Sequence, residues 1–283
     1  PDFADTYENT GDGYAIQGEY GKALECYIES LTMRQKTLGE NHPAIAHLQM
    51  SIGDIYWAID GHDRALEYFS KSMGICLNAL GEDDVAVVNF YKIIAGVYCA
   101  KHDHARAKEF YTKAVTIEKR SSGECHLDVS KSYEKIGNVC FEQGDYEKAM
   151  DYFEESLIIK LQLLGESHMD VADLYDNIGH VCRADGDYDK ALECLTKSLS
   201  IRLNKLHENH PDVADSYNNI GTVYEEKGEN DRALEYYSKS FAMRLSTLGE
   251  NHPDVATSYN NIGSAYQKKG DNDKALEYYK KSH

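Results

Sequence analysis

The sequence predicts an all-α protein made of seven antiparallel helix pairs, and three regularities predict it. Ala23, Ala65, Ala107, Ala149, Ala191, Ala233 and Ala275 stand 42 residues apart without exception, each preceded by a basic residue. Ile52, Ile94, Ile136, Ile178, Ile220 and Ile262 keep the same step, and a small residue follows each one. Inside a unit, apolar residues return every three or four positions, the period of a helix with one buried face. A fixed step of this length marks stacked repeats, each too small to bury both its helices alone. The step divides a single array, residues 1–283, into units of approximately 1–42, 43–84, 85–126, 127–168, 169–210, 211–252 and 253–283, the last one cut short.

The elements follow in order from the final unit. Pro253 suits the first helical position, where its missing N–H costs nothing, and Asp254 beside it complements the helix dipole. Val255, Ala256, Tyr259, Ile262, Gly263 and Tyr266 then form the apolar stripe of a first helix, and Gly270 ends it. A second helix starts near Asp273 with Ala275, Leu276 and Tyr279. In the preceding unit it runs on through Phe241 and Met243 to Leu248, where Gly249 stops it. Each helix is roughly 16–18 residues long, joined to the next by a short turn. Gly263 and Ala275 leave room for large residues of neighbouring helices.

Composition excludes several functions. Hydrophobic residues make up 42% of the chain and prolines number only 4, which excludes wholesale disorder and collagen-like chains. With 30 basic against 48 acidic residues, the net charge is −18. Nucleic acid and anionic membrane surfaces need a basic face, so neither is an expected partner. The longest apolar run, Val85 to Ala100, is broken by Asn89 and Lys92 and is too short to span a bilayer. Seven cysteines with no CxxC pair and no Asn-x-Ser/Thr sequon fit a reduced, cytoplasmic setting.

The Tyr259, Ile262-Gly263, Tyr266, Gly270, Ala275 and Tyr279 columns resemble, in order, the large, small and aromatic positions of the tetratricopeptide repeat family. The unit is about eight residues longer than the usual 34-residue form. That length, the segment Leu248-Gly-Glu-Asn-His-Pro-Asp-Val-Ala256 and the Asn260-Asn261 pair are similar to the kinesin light chain subgroup. The resemblance implies a right-handed superhelical solenoid whose first helices line a concave groove, and a scaffold that binds proteins there.

Residues that recur with the unit read as structural. All 22 tyrosines fall in five repeat columns. His42, His126, His168, His210 and His252 share one inter-unit turn, where helix starts and local hydrogen bonds would employ them. Cys140 and Cys182 replace the Tyr266-column aromatic and read as small core residues. Cys125-His126 and His102-Asp103-His104 have no second pair at zinc-site spacing, so no metal is expected. In His207-Glu208-Asn209-His210 the histidines stand three apart in a turn, unlike a helical HExxH. With no Walker loop and no GxSxG, the chain reads as a non-enzyme without a cofactor.

The candidate binding residues lie on the first helices, in columns that vary most from unit to unit. A central patch combines Trp57, the only tryptophan, and Ile93 and Phe141 with Lys92, Lys131, Lys135 and Asn138. Large aromatics beside lysines make a peptide anchor. The bland alternative is that Trp57 packs on the adjoining helix. A second group, Asn177, Asn218, Asn219, Asn260 and Asn261, offers amides that donate to and accept from a peptide backbone at once. The resemblance assigns that cargo-contacting role to Asn177, Asn219 and Asn261; in units two to four the column holds Ser51, Ile93 and Lys135 instead. Acid concentrates on the first-helix face near Asp5, Glu8 and Asp12 and near Asp215, Glu225 and Glu226.

The leading expectation is a protein or peptide ligand held in the groove. The alternatives are a sensor array of a larger signalling ATPase or transferase, or a structural spacer. Unit one, with Thr10 in the isoleucine column, has the polarity of a cap. Tyr278 and Tyr279 repeat Tyr236 and Tyr237 and the helix breaks off at Ser282-His283, so either the natural chain continues or copies stack end to end.

Overall fold

A computed structural model describes residues 3–207 and 209–282; Glu208 and His283, named above, lie outside them. Fourteen helices are seen in that range and no strand. They form two compact units, Pro1–Gln143 and Gly144–His283.

The first unit holds α1 (Phe3–Ile16), α2 (Tyr20–Leu38), α3 (Pro43–Ala58), α4 (His62–Leu80), α5 (Val85–Ala100), α6 (His104–Ser122) and α7 (Leu127–Glu142). Helices α1 to α6 pair as three hairpins, and α7 packs on α6. The second holds α8 (Tyr146–Leu164), α9 (Met169–Asp185), α10 (Tyr188–Lys205), α11 (Pro211–Glu226), α12 (Asn230–Leu248), α13 (Pro253–Lys269) and α14 (Asn272–Lys281). Here α9 to α14 form three hairpins and α8 packs on α9. No described helix is long and apolar enough to cross a membrane.

The repeated small residues sit where backbones approach. The alanine column is buried throughout, from Ala23 at 0% to Ala275 at 3% exposed. A Cβ added to Gly263 would lie 2.8 Å from the Tyr279 ring, and one on Gly53 would lie 2.5 Å from Phe69. Glycine is therefore required by the ring of the facing helix. Tyrosines stack within hairpins: Tyr56 on Tyr68 at 5.6 Å, Tyr224 on Tyr236 at 5.4 Å and Tyr266 on Tyr278 at 5.5 Å between centroids. Cys140 and Cys182 are buried in that column, and burial pushes the Cys182 thiol up to about 11.

The histidine turn is a set of helix caps. The Nδ1 atoms of His42, His126, His168, His210 and His252 accept from the backbone N–H two residues on, at 3.1–3.2 Å. In α5 Asp84 does the same for Ala86 at 2.8 Å. Each satisfies one of the N–H groups that a helix start leaves unpaired. At the other end, Gly249 holds φ 81° and ψ 164°, a conformation only glycine adopts without strain. The repeat column that ends α2, α4, α6, α8 and α12 with glycine has His207 after α10, and α10 stops one residue sooner, with Leu206 extended.

Candidate functional site

In the first unit, the central residues lie on three first helices. Trp57, at the end of α3, is 39% exposed and its ring lies 5.2 Å from that of His62 at the start of α4. It thus packs on its own hairpin while keeping an open face. Ile93 of α5 is half-buried against the cluster of Ala65, Phe69, Ile94 and Val97, so the apolar run of α5 is largely core. Lys92 is not a free cation: its Nζ lies 2.5 Å from Glu118 Oε1 on α6, and Glu118 is 4% exposed. The other Glu118 oxygen accepts from Ser132 Oγ of α7 at 2.8 Å. Lys131, Lys135 and Asn138 are exposed on α7, and neither lysine has an ion pair among the described residues. Phe141, on the same helix, is half-buried.

In the second unit, the asparagines split by position. Asn261 Nδ2 donates to Asn218 Oδ1 at 2.7 Å, joining α13 to α11. That leaves Asn218 with its N–H donors and Asn261 with its carbonyl acceptor. Asn177 and Asn219 are half-buried on α9 and α11, and Asn260 is exposed.

The expected concentration of acid changes once the second helices are included. Asp5 and Glu8 meet Arg34 of α2 at 2.7 and 2.5 Å. Asp173 and Asp176 meet Arg202 of α10 at 2.8 and 2.5 Å, and Asp215 meets Arg244 of α12 at 2.5 Å. Glu226 pairs with Arg183 at 2.6 Å. Glu225 accepts from Tyr237 at 2.6 Å and Ser264 at 2.7 Å and pairs with Lys268 at 3.0 Å. Burial alone would raise the Glu225 carboxyl, but these hydrogen bonds hold it below the ordinary glutamate value. Much of the face's negative charge is therefore neutralised within the fold, in large part by second-helix arginines that a count along the first helices omits.

Those partners form a column of their own: Arg34, Cys76, Glu118, Lys160, Arg202 and Arg244, again 42 residues apart. Applying the repeat step to the second helices was the signal that would have found it. Arg202 also donates to Ser216 at 2.7 Å and Arg244 to Ser258 at 3.1 Å, so each arginine ties its own hairpin to the next first helix. In the His102-Asp103-His104 motif, Asp103 caps α6 by accepting from Arg106 N at 3.2 Å. No cluster of three or more potential metal ligands occurs among the described residues.

Comparison with known proteins agrees with this architecture. The tetratricopeptide repeat family model matches residues 2–78, 86–162, 170–246 and 212–283. No curated protein sequence matches the chain. Among solved structures, BtubC (BKLC) from P. vanneervenii is similar at 21% identity and a TM-score of 0.63, over 79% of this chain and 87% of that one. A putative kinesin light chain with TPR-like repeats from Podosopora anserina has 20% identity and a TM-score of 0.63, over 70% and 94%. The signal transduction ATPase PH0952 from Pyrococcus horikoshii, which has a tetratricopeptide repeat sensor, reaches a TM-score of 0.72 at 16% identity, over 98% of this chain but 41% of that one. With the helical hairpins, their glycine and alanine contacts and a match along nearly its whole length, the chain belongs to the tetratricopeptide repeat family.

Proposed function

We propose that the chain is a non-catalytic interaction scaffold that holds an extended peptide on its first-helix face, in a cytoplasmic setting. The observation that carries this reading is α7: Lys131, Lys135 and Asn138 stay exposed and Lys131 and Lys135 unpaired, whereas Lys92 on the preceding first helix is consumed by its ion pair with Glu118. Two such lysines beside the half-buried Phe141 favour a ligand with acidic and apolar residues. Trp57 offers an aromatic anchor, and the Asn218–Asn261 pair keeps a donor and an acceptor for a peptide bond.

The test is to capture partners from the source cell with the intact chain and with Lys131→Glu/Lys135→Glu and Trp57→Ala variants. We expect the lysine reversal to weaken the principal partner at least tenfold and to remove most of the salt dependence of its binding. Capture of every partner unchanged by all three substitutions would reject the α7 site and leave the spacer reading. A partner that binds only in the presence of an upstream nucleotide-binding domain would instead favour the sensor-array reading.

A further inference from the structure

Six first helices carry a tyrosine in the column of Tyr7, Tyr91, Tyr133, Tyr175, Tyr217 and Tyr259, but α3 carries Gln49 there. The tyrosine ring packs among second helices: Tyr91 lies 5.9 Å from Phe110, Tyr217 6.1 Å from Tyr236, and Tyr259 4.7 Å from Phe241. Beside Gln49, Gly74 of α4 stands where α6 has Thr116. Both exchanges remove volume from one place. A cavity of about 600 Å³ opens there between α2 and α4, whereas the corresponding space beside Tyr91 and Thr116 measures about 220 Å³. The neighbouring hairpin is thus an internal control.

The lining has a definite chemistry. Leu31 and Tyr68 supply apolar walls, and the exposed Glu40, Asn41 and Asn78 supply a polar rim. Gln49 itself is 6% exposed, and its Oε1 has no hydrogen-bond partner among the described residues. A buried carbonyl oxygen without a donor is rare in folded proteins.

We propose that this cavity receives a tyrosine side chain from a partner peptide. The ring takes the place that the chain's own tyrosine fills in the other hairpins, between Leu31 and Tyr68. Its hydroxyl donates to Gln49 Oε1, and the flanking peptide amides meet the polar rim. A phenylalanine ring would fill the walls and leave the oxygen unpaired. This site is separate from the α7 face, since neither Lys131 nor Lys135 lines it.

The experiment titrates N-acetyl-tyrosinamide, N-acetyl-phenylalaninamide and p-cresol into the full ¹⁵N-labelled chain and follows backbone amide shifts. Saturable shifts at Gly74 and Ile75 are expected with the tyrosine amide. The phenylalanine amide should bind about three- to tenfold more weakly for want of one hydrogen bond, and p-cresol more weakly than the tyrosine amide. Gln49→Tyr should abolish the shifts. Gly74→Thr should reduce them, and it is a safe second variant because an added Cβ there meets nothing within 4 Å. No saturable shift at millimolar ligand, shifts indifferent to both substitutions, or equal binding of the phenylalanine amide would overturn the proposal. Binding of p-cresol as tight as that of the tyrosine amide would overturn it in favour of a free phenol.

Discussion

Lys92 and Glu118 form the inverse of Arg202 and Asp176: the same two repeat positions, 84 residues on, carry the opposite charges in the opposite order. In one hairpin the first helix supplies the cation and the second the buried anion. In the other the polarity is reversed, while the serine of the following helix, Ser132 or Ser216, bonds the buried group in both.

Breaking one member of such a pair strands a buried charge, which costs more than the pair itself contributes. Lys92→Ala should therefore destabilise the chain by about 1–3 kcal/mol in urea titration, with Glu118 left to Ser132 alone. The exchange Lys92→Asp/Glu118→Arg should recover most of that loss, because it copies the arrangement of Asp176 and Arg202. A double variant no more stable than Lys92→Ala would show that the pair does not act as a unit.

Glu225 links folding to pH. Its folded carboxyl lies below the ordinary value, so the folded state favours the charged form more than the unfolded chain does. Its contribution is then complete above the unfolded value of about 4.3 and is lost as pH falls through the lower folded value. Glu225→Gln should be clearly less stable than the parent at pH 7, and the gap should narrow steadily as pH is lowered below about 4.3. Denaturant titrations of both chains across that range measure it; a gap independent of pH would contradict the assignment.

How much of this was readable in advance depended on what each column has to satisfy. Ala233 and Gly221 are legible because a steric demand admits few residue types, so identity and position repeat together. The column of Arg34, Glu118 and Arg202 answers an electrostatic demand that either sign meets, provided that its partner is reversed. Position repeats there while identity does not. For the same reason Asp215 and Glu225 looked like free acid on the first helices: their partners, Arg244 and Tyr237, come from the second helix and Lys268 from the next hairpin. Gln49 was visible as a break in the tyrosine column, but the cavity that it leaves needs the neighbouring Gly74 brought beside it.

The histidine caps give a local test. His168 accepts from Asp170 N at 3.1 Å, and nothing in an alanine side chain replaces that acceptor. His168→Ala should cost about 0.5–2 kcal/mol, the usual range for loss of a cap. His168→Asp should be tolerated at neutral pH, since Asp84 performs the same task at the start of α5. Thermal unfolding of the two variants separates a capping role from mere packing, which aspartate would not restore.

Two glycines on first helices should respond to alanine with opposite signs. At Gly221 of α11 an added Cβ falls 2.7 Å from the Tyr237 ring, itself 2% exposed and anchored by its hydroxyl to Glu225. The ring has nowhere to go, and overpacking of this kind costs about 1–3 kcal/mol. At Gly96 of α5 the nearest atom is the Tyr111 hydroxyl at 3.9 Å, an ordinary contact. Gly96→Ala should then gain about 0.5–1 kcal/mol, because glycine inside a helix loses more backbone freedom on folding than alanine. Urea midpoints that move down for Gly221→Ala and up for Gly96→Ala would tie the repeated glycine to its facing ring. A loss of similar size at both positions would place its cause elsewhere.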